Sequence, residues 1–262
     1  MTLDIAHLVI LFFVGCLAGF MNVMAGGGSM LAMPVLVFMG IPGPMANGTN
    51  RIAILIQNCA ATASYARQKV AEPRLSFTLG LCALPGAVVG AYFGTKLDGA
   101  LFNYVLAGVM VMVLVYMILS HRRKARLDKK KTADIHDHPR PTRSQNLAGH
   151  LLMFGVGLYG GFIQAGVGII IMASLSGAMG MTLVRANIHK VFIIGLYTLV
   201  ALAIFSLSND IYWTAGLCLA CGNTLGAIVA TRLNLHGGDR LIRAILYLVI
   251  LAMAANLIRL SL

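Results

Sequence analysis

Eight apolar runs of about 20 residues set the terms for this chain, because each matches the length a helix needs to cross a hydrocarbon core of about 30 Å at 1.5 Å per residue. They cover roughly 5–25, 44–66, 75–94, 100–120, 147–165, 182–206, 211–231 and 240–260. The eight Asp and Glu residues, at positions 4, 72, 98, 128, 134, 137, 210 and 239, all fall at run edges or in polar connections. With 59% hydrophobic and 11% charged residues in 262, the chain reads as an all-α polytopic membrane protein. That pattern argues against a soluble enzyme working through paired carboxylates. It also argues against a nucleic-acid binder, despite a formal charge of +12.

The basic surplus has a local origin. Nine of the 20 Lys and Arg residues lie between His121 and Arg143, opposed by three Asp, so one connection carries +6. Short basic loops beside membrane spans stay cytoplasmic, because Lys and Arg resist translocation and are drawn to anionic headgroups. The chain therefore divides into a first transmembrane repeat over 1–120, a basic cytoplasmic loop over 121–145 and a second repeat over 146–262. No basic region or small-residue cleavage site accompanies the first apolar run, so it reads as a retained span. Cys16, Cys59, Cys82, Cys218 and Cys221 all lie within apolar runs and read as packing residues, not disulfides or a thiolate site. His136, Asp137 and His138 lack the third and fourth ligands a metal needs. No cofactor or metal is expected.

The chain repeats itself. A shift of 136 lays 80–97 over 216–233 with eight identities in 18 positions, and a shift of 140 lays the glycine cluster at 25–29 over 165–169. The same shift puts Ala46, Asn47, Thr49 and Asn50 over Ala186, Asn187, His189 and Lys190. Each copy runs as long span, glycine break, short apolar piece (30–41 and 169–181), polar-headed span and a hairpin of two spans. If the short pieces do not cross, the copies are parallel and loop Lys and Arg divide 13 inside to 4 outside. If they cross, the copies are inverted and the division is 15 to 2, so the positive-inside rule favours inversion.

Three features point to a site. Gly26, Gly27, Gly28 and Ser29 break a membrane-embedded stretch where unsatisfied backbone groups are costly, and Gly166 with Gly168 repeats the break. Such a break lets a half-helix aim its amides at an anion, the alternative being a tight turn between packed helices. Asn47, Thr49, Asn50 and Arg51 head one long span, and Arg185, Asn187, His189 and Lys190 head its counterpart. Arg185 reads as snorkelling, whereas Arg51, His189 and Lys190 read as a basic site. Asn22 and Gln164 offer amides from the ends of the first and fifth spans. With no carboxylate in the runs, the interior suits an anion. Asn223, Gln57 and Asn58 fit interhelical hydrogen bonds and substrate contact equally well. Gly86, Gly90 and Gly94, echoed by Gly222, Gly226 and Ala230, form a packing seam. Tyr212 and Trp213 fit an interfacial belt.

The segments GFMNVMAGGGSMLAMPVL with ANGTN, and GFIQAGVGIIIM with ANIHK, resemble the TauE/SafE family of sulfite and organosulfonate exporters. The resemblance implies transport of small sulfur-containing anions across a bacterial inner membrane. A membrane enzyme or assembly factor is disfavoured, because no nucleophile, base and orienting group cluster at suggestive spacing. The family's glycine-rich segments correspond to Gly26, Gly27 and Gly28 and to Gly166 and Gly168, with Thr49 and Asn50 following the first. His189 stands where a Thr is expected. The expected substrate is a small anion bound between the breaks, in a lipid bilayer, and a homodimer is compatible with this reading. An ion-driven anion importer, for example of thiosulfate, and an anion-selective channel are the alternatives.

Overall fold

The computed structural model describes residues 4–127, 142–208 and 211–234. All regular structure among them is helical: α1 (Ile5–Ala25), α2 (Ser29–Phe38), α3 (Gly43–Arg67), α4 (Pro73–Gly94), α5 (Gly99–Leu127), α6 (Arg143–Phe162), α7 (Val167–Met179), α8 (Leu183–Leu207) and α9 (Trp213–Asn234). These match seven of the eight expected spans and both short pieces. The run at 240–260 and the His136, Asp137, His138 cluster lie outside the described residues. α5 and α6 each reach into the 121–145 connection, because HRRKARL consists largely of helix formers and Thr142 with Gln145 makes a capping box at the start of α6.

By length and composition α1, α4, α8, the Gly99–Tyr116 part of α5 and the Trp213–Leu233 part of α9 can each cross a membrane. α3 and α6 are long enough, at 25 and 20 residues, but more polar. In α3 the polar residues Asn47, Thr49, Asn50, Arg51, Gln57 and Asn58 are all buried, while exposed apolar side chains such as Phe13, Leu151 and Leu199 cover the outside. This inside-polar, outside-apolar arrangement suits a bilayer and marks a multi-pass membrane protein.

Two helix pairs form the tightest contacts, α1 with α9 and α4 with α6. Glycines make both possible. A Cβ built on Gly86 or Gly90 would collide with the carbonyl oxygen of Phe154 or Leu158 in α6, and one on Gly157 or Gly161 with that of Ala83 or Ala87 in α4. Likewise Gly222 and Gly226 of α9 lie against the Phe12 and Cys16 carbonyls, and Gly15 and Gly19 of α1 against those of Leu219 and Asn223. The sequence seam at 86, 90 and 94 is therefore one side of a backbone-to-backbone contact.

Contacts between helix ends sort the elements by direction. Cys218 Sγ donates to the Leu8 carbonyl, Tyr212 N donates to Thr49 Oγ1 at 2.8 Å, and Phe102 covers Gly43. The starts of α1, α3, α5 and α9 thus share one face. On the other face His150 meets Thr78, Arg185 meets Glu72, and Ser64 meets Thr231. The starts of α4, α6 and α8 lie there with the ends of α3 and α9. The short helices α2 and α7 begin at the centre and run to opposite faces, α2 toward the start of α3 and α7 toward the start of α6, where Met179 packs on Gly149.

Candidate functional site

The two glycine breaks meet. A Cβ on Gly26 would lie 2.6 Å from the Gly168 carbonyl carbon and 2.7 Å from Ile169 N, and one on Gly168 would lie 2.8 Å from Gly26 Cα. Gly26 ends α1 in the left-handed region at φ 81°, its N–H donating to the Asn22 and Met21 carbonyls, and Gly166 starts α7 at φ 68°. Side chains at either position would strain the turn as well as the contact. Neither α2 nor α7 has a side-chain cap; both short helices begin at this junction, where the Met30, Leu31 and Ile169 amides turn onto the Gly27, Gly28 and Gly166 carbonyls. Ser29 and Asn22 are buried beside it, Asn22 Cβ lying against Gly28.

Each buried cation closes the carbonyl end of a long helix next to a break. Lys190 Nζ donates to the Asn22 carbonyl at 2.7 Å and the Val23 carbonyl at 3.3 Å, and its stem lies against Gly168. Arg51 donates from Nη1 to the Gly160 carbonyl at 3.1 Å and Gln164 Oε1 at 3.0 Å, and from Nη2 to the Gly161 carbonyl. Its guanidinium also lies 4.5 Å from the centre of the Phe205 ring. Gln164 is held in turn by Tyr197 and Thr198. Orphan carbonyls and the negative end of the helix dipole stabilise these cations without cancelling their charge. Among the described residues neither has a carboxylate partner.

The remaining expected residues divide. Asn47 donates to the Phe162 carbonyl at 2.9 Å, beside Arg51. Asn50 is fully buried, and neither its Nδ2 nor its Oδ1 has a protein partner among the described residues. Thr49 instead holds the start of α9. Asn187 donates to Tyr65, and Asn223 donates to Gln57 across α9 and α3 at 3.0 Å. Arg51 Nε, Asn47 Oδ1, Gln57 Nε2, Asn187 Oδ1 and His189 Nε2 are likewise buried without a partner. Unsatisfied buried polar atoms each cost about 1–3 kcal/mol.

One expectation needs correction. The polar span heads are not free of carboxylates. Glu72, from the turn before α4, receives both Nε and Nη2 of Arg185 at 2.6 and 2.7 Å, and its Oε1 lies 3.9 Å from His189 Nε2. Arg185 is therefore half of a bidentate ion pair and not a snorkelling side chain. The Arg185 hydrogen bonds hold the Glu72 carboxyl below the ordinary carboxylate range, opposed by partial burial and helped by His189. On its other side His189 Nδ1 meets Ser76 Oγ at 2.8 Å. Sequence reasoning missed Glu72 and Ser76 because both lie 113 residues from their partners. The need of Arg185 for a counter-ion was the available signal. Phe205, Tyr197 and Tyr65 were also missed, since aromatic residues in apolar runs carry no mark of a polar neighbour.

A bundle of membrane-length helices with paired glycine breaks, half-helices starting at its centre and buried cations around them defines a polytopic transporter. The family model for "Sulfite exporter TauE/SafE" matches residues 11–257, and the chain belongs to that family. It is similar to a "Probable membrane transporter protein ORF9" of Sinorhizobium sp, 28% identical over 96% of this chain and 93% of the relative. It is also similar to a "Probable membrane transporter protein" of Haemophilus influenzae, 27% identical over 98% and 97%. The "Probable membrane transporter protein YfcA" of Escherichia coli K12 is 28% identical over 95% and 88%. These relatives are named as transporters and not enzymes. No solved structure matches.

Proposed function

We propose that this transporter exports a small sulfur-containing oxyanion, sulfite or an organosulfonate, across the bacterial inner membrane by alternating access at the junction of the two glycine breaks. The observation that carries the reading is the meeting of Gly26 with Gly168 at the starts of two half-helices, beside Lys190, with Arg51 at the neighbouring helix end and no carboxylate on either cation among the described residues. Two inverted copies make up the protein in this reading. The opposite courses of α1–α4 and α6–α9 support this without a full crossing by α2 or α7, each of which returns to the face where the long helix before it starts. So does the reciprocal capping, in which Arg51 closes α6 and Lys190 closes α1. The glycine-lined contacts of α4 with α6 and of α1 with α9 are smooth surfaces along which the halves can shift. The positive-inside rule puts the basic connection 121–145 in the cytoplasm, and the start of α6 that follows it shares a face with Glu72 and Arg185.

Export suits the energetics. With the cytoplasm negative, each negative charge leaving gains about 2.3 kcal/mol per 100 mV, so no driving ion is required. The test is radiolabelled sulfite and sulfoacetate flux from loaded proteoliposomes under an imposed negative interior potential, with chloride as competitor. Saturable efflux that accelerates with the potential supports the reading. Equal flux of chloride without saturation would replace it with a channel, and a requirement for an inward ion gradient would replace it with an importer.

A further inference from the structure

We infer that the groove between the ends of α3 and α9 binds one anionic phospholipid, with its phosphate on Arg67 and Arg232 and an acyl chain along Ala60, Ala63 and Ile228. The binding does not depend on the transported anion. Only the leaflet, the cytoplasmic one, rests on the orientation proposed above.

The groove encloses about 510 Å³, and its lining holds two cations and no carboxylate. Arg67 stands exposed in the last turn of α3, without an ion-pair partner among the described residues. Arg232, in the last turn of α9, keeps contacts of its own and adds its charge from the second helix. Guanidinium forks suit phosphate oxygens, which accept two parallel hydrogen bonds from one arginine. Toward the membrane centre the same two helices become apolar, with Ile56, Leu225 and Val229 exposed. Cations at the helix ends above an apolar surface match an amphiphile with a charged head and hydrocarbon chains. Snorkelling accounts for each arginine singly, but it calls for no cavity between them.

The walls are held in place by the protein itself. The Ser64 and Thr231 hydroxyls meet at 2.7 Å, and Gln68 Nε2 donates to the Ser64 carbonyl and Oγ at 3.2 Å each. Deeper along the same helix pair Asn223 donates to Gln57. A groove formed in advance spares the lipid the cost of ordering its site. Because α3 and α9 come from different copies of the repeat, a phosphate on both arginines bridges the two copies.

The repeat supplies an internal comparison. At the equivalent end of α8 and α4, Leu207 stands in place of Arg67 and Tyr92 in place of Ile228, and Lys96, the counterpart of Arg232, lies 5.7 Å from the centre of the Tyr92 ring. That end lacks the second cation, and its one cation sits on an aromatic ring. The paired arginines lie instead on the face where α6 begins, after the basic connection. In the proposed orientation this is the leaflet whose anionic headgroups attract basic pockets between spans.

The experiment titrates delipidated full-length protein with phosphatidylglycerol or phosphatidylcholine and reads the first bound lipid by native mass spectrometry. Phosphatidylglycerol should bind more tightly, because choline cancels the phosphate charge of the other lipid. Arg67→Gln should weaken phosphatidylglycerol about fivefold, the equivalent of about 1 kcal/mol per basic residue. Adding Arg232→Gln should weaken it further, whereas Lys96→Gln at the opposite face should not. Ala63→Trp keeps both charges but fills the groove, and should weaken both lipids. Equal affinity for the two lipids overturns the site, as does a double variant within about twofold of the parent chain. If the double variant does not fold, Arg67→Gln alone and Ala63→Trp decide. Parent-like binding by Ala63→Trp overturns the seat in the groove. sn-Glycerol 3-phosphate is the soluble probe, and displacement of the lipid at equal concentration would make free phosphate the occupant and overturn the lipid assignment. A failed flux test of the proposed export leaves each of these outcomes as informative as before.

Discussion

Replacing Arg51 with Gln tests whether the cation is a structural group as well as a source of field. Its guanidinium satisfies the carbonyls of Gly160 and Gly161 at the buried end of α6 and Gln164 Oε1 in the turn after it. Three orphaned acceptors at about 1–3 kcal/mol each amount to roughly 3–9 kcal/mol. Against this stands the relief of no longer burying a charge, several kcal/mol in effective terms. The Phe205 contact adds about 1–2 kcal/mol to the loss. Setting the lost hydrogen bonds and ring contact against that relief, the net expectation is a destabilisation of about 3 kcal/mol. Arg51→Lys keeps the charge but loses the fork, and should cost about half as much. Reversible unfolding in mixed micelles measures both. Arg51→Gln within about 0.5 kcal/mol of the parent chain, a surface-like response, would refute the capping role.

Lys190→Gln should weaken sulfite or taurine binding by at least about 1 kcal/mol, on the scale of a charge-assisted hydrogen bond, read by substrate-dependent thermal shift; unchanged affinity in folded protein would remove Lys190 from the site. Gly26→Ala, at φ 81° and against the Gly168 backbone, should abolish transport. Wild-type flux would sink the junction as the site. Gly90→Ala drives a methyl into the Leu158 carbonyl and should cost about 1–3 kcal/mol, whereas Gly155→Ala, with nothing within 4 Å, should be neutral or stabilising by about 0.5–1 kcal/mol. Melting curves of the two variants must separate in that order. For pH, the lowered Glu72 carboxyl contributes stability that is fully present above the ordinary value of 4.5 and is lost as pH falls through its lower folded value. The unfolding midpoint should therefore drop below about pH 4.5, and Arg185→Ala should flatten that drop; an identical acid profile in the variant would discount the ion pair.

Hydrophobic run lengths located seven of the eight expected spans among the described residues, because a hydrocarbon core imposes a fixed length and closes every backbone hydrogen bond within the segment. The two glycine breaks were legible for the same reason, as interruptions that a membrane tolerates only inside protein. The self-overlay of the sequence also marked 86, 90 and 94 and their echoes as a seam, since only small residues let helix backbones touch. What the overlay did not contain was the partner of each element. That Gly26 lies on Gly168, that Arg51 reaches the end of α6 and Lys190 the end of α1, and that Glu72 returns to Arg185 and His189 are contacts across 109 to 168 residues. No local period encodes such distances. They follow from α1 packing on α9 and α4 on α6, an arrangement set by matching backbone surfaces and decided only when the whole bundle forms. The same holds for charge: a sequence can show that the apolar runs lack carboxylates, but only the fold decides that a Glu at the edge of one run stands against a His buried in another.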